Sequence, residues 1–194
     1  MKRIAVLASG RGSNLRAIHA ATRSGALEGV AEIVVVGSDK PSAQALVFAG
    51  ENGIPTIALA REGRSREAWD EELLRRLEPH APDVVVLAGF MRVLSGTFVA
   101  AYRGRIVNIH PADTRAHQGL GGYAFAFERH LDETTITVHL VDEGLDTGAI
   151  LAQRAVDLRG VTSLHDVEER GLAVEHALYP EALRAFLNGL STRS

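Results

Sequence analysis

Pro82-Asp83-Val84-Val85-Val86-Leu87-Ala88-Gly89 is an apolar, β-branched run held between a proline and a glycine, and its reading decides the fold. A strand with no polar alternation is buried on both faces, the habit of parallel sheets. Two more runs of this kind precede it, at residues 4–7 and 31–36, and residues 55–59 make a third, shorter strand. Helical spacing fills the intervals, at residues 15–22, 42–52 and 64–77. In the last of these Trp69, Leu73, Leu74 and Leu77 face inward, with Glu67, Asp70, Glu71 and Arg75 outward. Strands alternating with helices predict an α/β fold, a single-domain, mostly parallel twisted sheet with helices on both faces and right-handed crossovers.

Downstream, Ser95 caps a short helix to about residue 102, and Arg105-Ile106-Val107-Asn108-Ile109-His110-Pro111 reads as a further buried strand ended by a proline. Residues 112–122 are polar and glycine-rich, as in a mobile loop, and 123–130 resemble a helix. Residues 134–141 alternate Thr135, Thr137 and His139 against Ile136, Val138 and Leu140, which predicts a half-exposed strand with His139 on its polar side. An acidic loop, Asp142-Glu143-Gly144-Leu145-Asp146-Thr147-Gly148, leads to a strand at 150–156. A final helix over 163–187 has a possible break at Pro180, and residues 188–194 read as a disordered tail outside the 1–187 domain.

The 194 residues suffice for one domain with a full core, and 46% hydrophobic with 23% charged residues is ordinary globular composition. A net charge of −3 provides no electrostatic footprint for nucleic acid, though it leaves room for a local phosphate site. The absence of cysteine excludes disulfides, thiolate metal sites and cysteine nucleophiles. No apolar run approaches a signal peptide or membrane span, so a soluble, cytoplasmic protein is expected, acting on small molecules as a monomer or homodimer.

Two loops and the end of one strand carry the chemistry. Ser9-Gly10-Arg11-Gly12-Ser13-Asn14 lies between a strand and a helix, where backbone N–H groups meet an anion. Leu15 stands where a dinucleotide fingerprint needs its third glycine, and the Walker lysine is missing, which favours a single phosphate; a tight turn capped by Ser13 is the alternative. Phe90-Met91-Arg92-Val93-Leu94 is apolar enough for a flat aromatic ligand, or simply packs on the next helix. Asn108 and His110, two apart on a strand, share a face and join a neutral donor to a proton carrier; a cap and a core histidine are the plain alternative. Arg66 is either a solvated side chain or a phosphate ligand.

Taken in order, these stretches and the ending Glu175-His176-x-x-Tyr179-Pro180 resemble the phosphoribosylglycinamide formyltransferases over essentially the whole chain. The resemblance implies a formyltransferase (Rossmann-like) fold and transfer of the formyl group of 10-formyltetrahydrofolate to the amine of glycinamide ribonucleotide, in purine biosynthesis. It implies that Asn108 and His110 stabilise the developing oxyanion, while Asp146 assists proton transfer and favours the imidazolium form of His110. It places the phosphate on Gly12, Ser13 and Asn14 with Arg66 nearby, and Glu175 at the sugar hydroxyls or amine. The pterin falls against Met91, Arg92, Val93 and Leu94 and the backbone of Asp142, Glu143, Gly144 and Leu145. Neither metal nor covalent nucleophile is needed.

The chain departs from the family at Ala112-Asp113-Thr114-Arg115-Ala116-His117-Gln118-Gly119, where the usual Ser-Leu-Leu-Pro and the proline before the glycine are missing. A more polar loop there bears on folate access and on the choice of acceptor. The alternatives are another folate-dependent formyltransferase, a formyltetrahydrofolate deformylase, or a non-catalytic folate- or nucleotide-binding protein. The deformylase carries an extra N-terminal domain, and the methionyl-tRNA enzyme a C-terminal basic domain. This chain is expected to have neither.

Overall fold

The computed structural model describes residues 1–190. Strands β1 (Lys2–Leu7), β2 (Ala31–Ser38), β3 (Thr56–Ala58), β4 (Val84–Leu87) and β5 (Ile106–His110) are joined by helices α1 (Ser13–Ser24), α2 (Gln44–Glu51), α3 (Arg66–Leu77) and α4 (Gly96–Ala101). Helix α5 (Gly122–Glu128), strands β6 (Glu133–Leu140) and β7 (Ile150–Asp157) and helix α6 (Leu164–Gly189) complete the described residues. The seven strands form one sheet in the order β3-β2-β1-β4-β5-β6-β7. Its first five are parallel and β6 and β7 antiparallel. The α/β expectation is met.

The valine run owes its burial to this order. β4 lies between β1 and β5, and Val84, Val85, Val86 and Leu87 alternate between two cores. One face packs against α1, α2, α5 and α6 through residues such as Leu15, Ile18, Leu46, Ala126 and Leu183. The other packs against α3 and α4 through Trp69, Leu73, Leu77 and Phe98. Burying an aliphatic side chain of this size contributes about 1.5–3 kcal/mol, which is why such runs go to the sheet centre.

Four details differ from the sequence reading. Asp70 is buried rather than outward, 1% exposed, where its Oδ2 accepts the Ser95 N–H at 2.5 Å. The polar side of β6 is buried too, with Thr137 and His139 at 0% and 1% exposure, because the loop after β5 lies over it and Thr137 Oγ1 donates to the Ala112 carbonyl. Pro180 does not break α6, whose first turn closes with a capping box between Ser163 and Asp166. That helix also continues through Asn188 and Gly189, where a tail was expected to start, and the rest of the expected tail, 191–194, lies outside the described residues.

Order reverses between β1 and β4, with β2 leaving on one side of β1 and β4 on the other. At such a switch point the loops beyond the strand ends part and leave a crevice. Ser9 stitches its two lips, its N–H donating to the Gly89 carbonyl at 3.0 Å and its Oγ accepting the Met91 N–H at 2.9 Å. Tyr179, fully buried in α6, shares its hydroxyl proton between the carbonyls of Leu87 and Val107, at 2.9 and 3.0 Å. It thereby joins the last helix to the ends of β4 and β5.

Candidate active site

A cleft of about 270 Å³ opens beyond β4 and β5, lined by residues 89–94, 108–111, 119–121 and 141–146, with Leu87 and His139. Asn108 and His110 reach it from alternate positions of β5, as their spacing predicts. Its rim exposes Met91 (58%), Val93 (56%), Leu120 (76%) and Leu145 (50%) to solvent. Large apolar side chains gathered at a cleft mouth are what a flat aromatic ligand covers. Leu94 lies deeper, and Arg92 is turned over the Trp69 ring, 4.3 Å from its centroid, with its Nε buried and unpartnered.

Asp146 is the hub. Its carboxylate accepts the Gly119 N–H at 2.8 Å, with Oδ2 3.5 Å from His110 Nδ1 and Oδ1 3.4 Å from His139 Nε2. Its backbone is left-handed at φ 54°, a conformation an aspartate tolerates better than most residues but which still stores about 1–3 kcal/mol. Two glycines let this loop close. A Cβ on Gly148 would overlap the Leu140 carbonyl, and one on Gly144 the Thr147 hydroxyl. Burial raises the Asp146 carboxyl, but its contacts with His139, the Gly119 N–H and the nearby His110 outweigh it, so the group sits below the usual carboxylate range and is ionised at neutral pH.

His110 is 4% exposed. Its Nε2 lies 3.0 Å from the His117 carbonyl, which can only accept, so the neutral ring carries its proton there and presents Nδ1 to Asp146. Burial pushes the imidazole below 6.5, against the upward pull of Asp146 and the His117 carbonyl. The expected support from Asp146 is therefore present but outweighed by burial. The ring rests neutral, with a carboxylate beside the nitrogen that would take a second proton.

His139 is a site residue that the sequence reading set on the polar, partly exposed side of β6. Antiparallel pairing puts it directly opposite Asn108. Its Nδ1 donates to the Leu140 carbonyl at 2.8 Å, which leaves Nε2 to accept from Asn108 Nδ2 at 3.3 Å in the neutral ring. One amide hydrogen of Asn108 is thus used and the other remains for a ligand. His117 stacks between His110 and Phe125, at centroid distances of 6.2 and 4.5 Å. The loop at 112–119 therefore packs directly on His110.

The glycine loop lies outside the lining of the cleft and is tied to it through the Ser9 contacts with Gly89 and Met91. Gly12, at φ 75°, is the N-cap of α1, and no side chain caps the helix. Ser13 is its first helical residue, not the cap. The first-turn N–H groups stay open, with no acidic side chain among them, as an anion site requires. Gly12 also allows α2 to come close, since a Cβ there would sit 3.0 Å from Ala45 Cα. Asn14 and Glu175 are both buried, and Asn14 Nδ2 donates to Glu175 Oε2 at 2.5 Å. Arg66 is not drawn in; it pairs with Glu67 at 3.3 Å with its side chain 52% exposed.

An amide donor, a buried carboxylate–imidazole couple and an apolar cleft thus gather at the carboxyl ends of the parallel strands. The family model for formyl transferases matches residues 2–183, and the chain belongs to that family. Its relatives narrow the class. The chain is 41% identical over 187 residues to the phosphoribosylglycinamide formyltransferase of Escherichia coli, covering 96% of this chain and 87% of that one. With the Bacillus subtilis enzyme of the same name the identity is 36% over 194 residues, covering 100% and 98%. It is also 44% identical to the trifunctional purine biosynthetic protein adenosine-3 of Drosophila melanogaster, of whose length it spans only 14%. The crystal structure of phosphoribosylglycinamide formyltransferase from Bacillus halodurans superposes with a TM-score of 0.92 at 39% identity, over 97% of this chain and 96% of that one.

Proposed function

We propose that this chain transfers the formyl group of 10-formyltetrahydrofolate to the primary amine of glycinamide ribonucleotide, a step of purine biosynthesis carried out in the cytoplasm by a monomer or homodimer. The observation that carries the reading is the meeting of Asn108, His110 and Asp146 on one wall of an apolar cleft. The exposed Met91, Val93 and Leu145 offer the slot a pterin needs, with Arg92, Leu94 and the backbone of Asp142, Glu143 and Gly144 around it. The phosphate is assigned to the open first turn of α1 at Gly12, Ser13 and Asn14. Glu175 stands beside the sugar and amine, and Arg66, the first residue of α3, serves the phosphate only by leaving Glu67.

The residues then divide the chemistry. As the amine attacks, negative charge grows on the formyl oxygen. Asn108 directs its spare amide hydrogen at that oxygen, and one such donor is typically worth about 3 kcal/mol. His110 accepts at Nδ1 the proton the amine must lose, and Asp146 stabilises the charged ring. The same proton can then reach the folate nitrogen as the carbon–nitrogen bond breaks.

A formyl-transfer assay with 10-formyltetrahydrofolate, run with and without glycinamide ribonucleotide, tests this. Release of tetrahydrofolate only when the ribonucleotide is present is the expected result. Release without it indicates a deformylase, and no release in either case refutes the reading.

A further inference from the structure

Glu175 is buried in the middle of a three-residue chain that joins separate parts of the sequence. Its Oε2 accepts from Asn14 Nδ2 in the first turn of α1, and its Oε1 accepts from the Tyr123 hydroxyl in α5. The ring of Tyr123 lies flush against α6 at Gly171, where any Cβ would overlap it. A carboxylate accepts and cannot donate, so it settles which way the Asn14 amide is turned, with nitrogen toward Glu175 and oxygen away. That oxygen, Oδ1, is buried with no hydrogen-bond partner. An orphaned buried acceptor costs about 1–3 kcal/mol until a donor reaches it.

We propose that Tyr123 is a positioning residue for the acceptor substrate: by holding Glu175 against Asn14 it presents the Asn14 carbonyl as an acceptor for a ligand hydroxyl or ammonium group. This rests on the ribonucleotide reading above and sharpens it. The Asn14 backbone N–H still serves a phosphate, but its side chain takes the opposite kind of group, a donor. Three groups that only accept on the ligand side, the Asn14 carbonyl and the two Glu175 oxygens, form a wall beside an anion site made of N–H donors. A ligand carrying phosphate at one end and hydroxyl or amino groups at the other is oriented by that contrast alone. The Tyr123 hydroxyl keeps its proton, since burial and the neighbouring carboxylates raise it far above its ordinary value. It therefore remains a donor to Glu175 at every working pH.

The test is Tyr123→Phe, which keeps the ring on Gly171 and removes the hydroxyl, alongside Gly171→Ala, which displaces the ring. In steady-state assays KM for glycinamide ribonucleotide is expected to rise about 5–20-fold in both, with kcat and KM for 10-formyltetrahydrofolate within about twofold of the unaltered enzyme. Calorimetry with ribose 5-phosphate and inorganic phosphate identifies the donor. Weakened ribose 5-phosphate with unchanged phosphate points to sugar hydroxyls; both unchanged, with only the ribonucleotide KM raised, points to the amine. Unchanged KM in both variants, or an equal loss for inorganic phosphate, overturns the proposal. If the unaltered chain transfers no formyl group, the proposed function falls. The ribose 5-phosphate comparison alone then decides on the wall, which stands only if Tyr123→Phe weakens the sugar phosphate and not phosphate.

Discussion

Asp146→Asn keeps the size of the side chain at the centre of the site and removes its charge. The carboxylate is 10% exposed and 3.5 Å from His110 Nδ1. Opposite unit charges at that separation attract by about 5 kcal/mol at an effective dielectric of about 20, an upper bound on the support Asp146 gives a protonated His110. Half of that, delivered in the transition state, is already worth about 10²-fold in rate. The fold loses less, because an asparagine oxygen can still accept the Gly119 N–H, and a single hydrogen-bond adjustment costs about 1 kcal/mol. The expected result is kcat reduced by about 10²–10³-fold with a melting temperature within a few degrees of the unaltered protein. Since Asp146 is what pulls His110 upward, its removal lowers that group further, and the acid limb of kcat/KM moves to lower pH. Turnover within about fivefold of normal, with the limb unmoved, would refute the proton-transfer role.

Gly12→Val sets a β-branched residue at φ 75° and pushes its Cβ toward Ala45, so it should cost about 1–3 kcal/mol in urea unfolding and raise KM for the ribonucleotide more than KM for the folate. Equal affinity for the ribonucleotide would mean that the loop is only a turn. Tyr179→Phe strips the shared donor from the Leu87 and Val107 carbonyls; a loss of about 1–3 kcal/mol is expected by chemical denaturation, and a neutral result would show those carbonyls satisfied otherwise. Burial holds the folded pKa of His110 below its unfolded 6.5, so its neutral form contributes stability in full above pH 6.5, and this is lost as pH falls through the folded value. Unfolding curves from pH 7.5 to 5 should therefore fall more steeply for the unaltered protein than for His110→Gln, and parallel curves would contradict the assignment.

The central strands were legible because their signal is local: an unbroken β-branched run such as Val84-Val85-Val86 can be satisfied only at the middle of a sheet covered on both faces. The glycine loop, the Asn108–His110 spacing and the acidic loop were legible for the same reason, since each packs its chemistry into a few consecutive residues. Asp70 and His139 were not, because a periodic pattern ranks residues by polarity and burial depends on what lies across the gap. For Asp70 that is the Ser95 N–H, 25 residues on. For His139 it is Asn108 on the neighbouring strand and the carboxylate of Asp146. The sequence by itself thus determined the α/β architecture, the strands and the residue types of the cleft wall. Tertiary structure alone decided which of them meet, because antiparallel pairing sets β6 against β5 and because α5 and α6 bring Tyr123, Glu175 and Asn14 together from positions up to 161 residues apart. No local periodicity encodes a contact of that length.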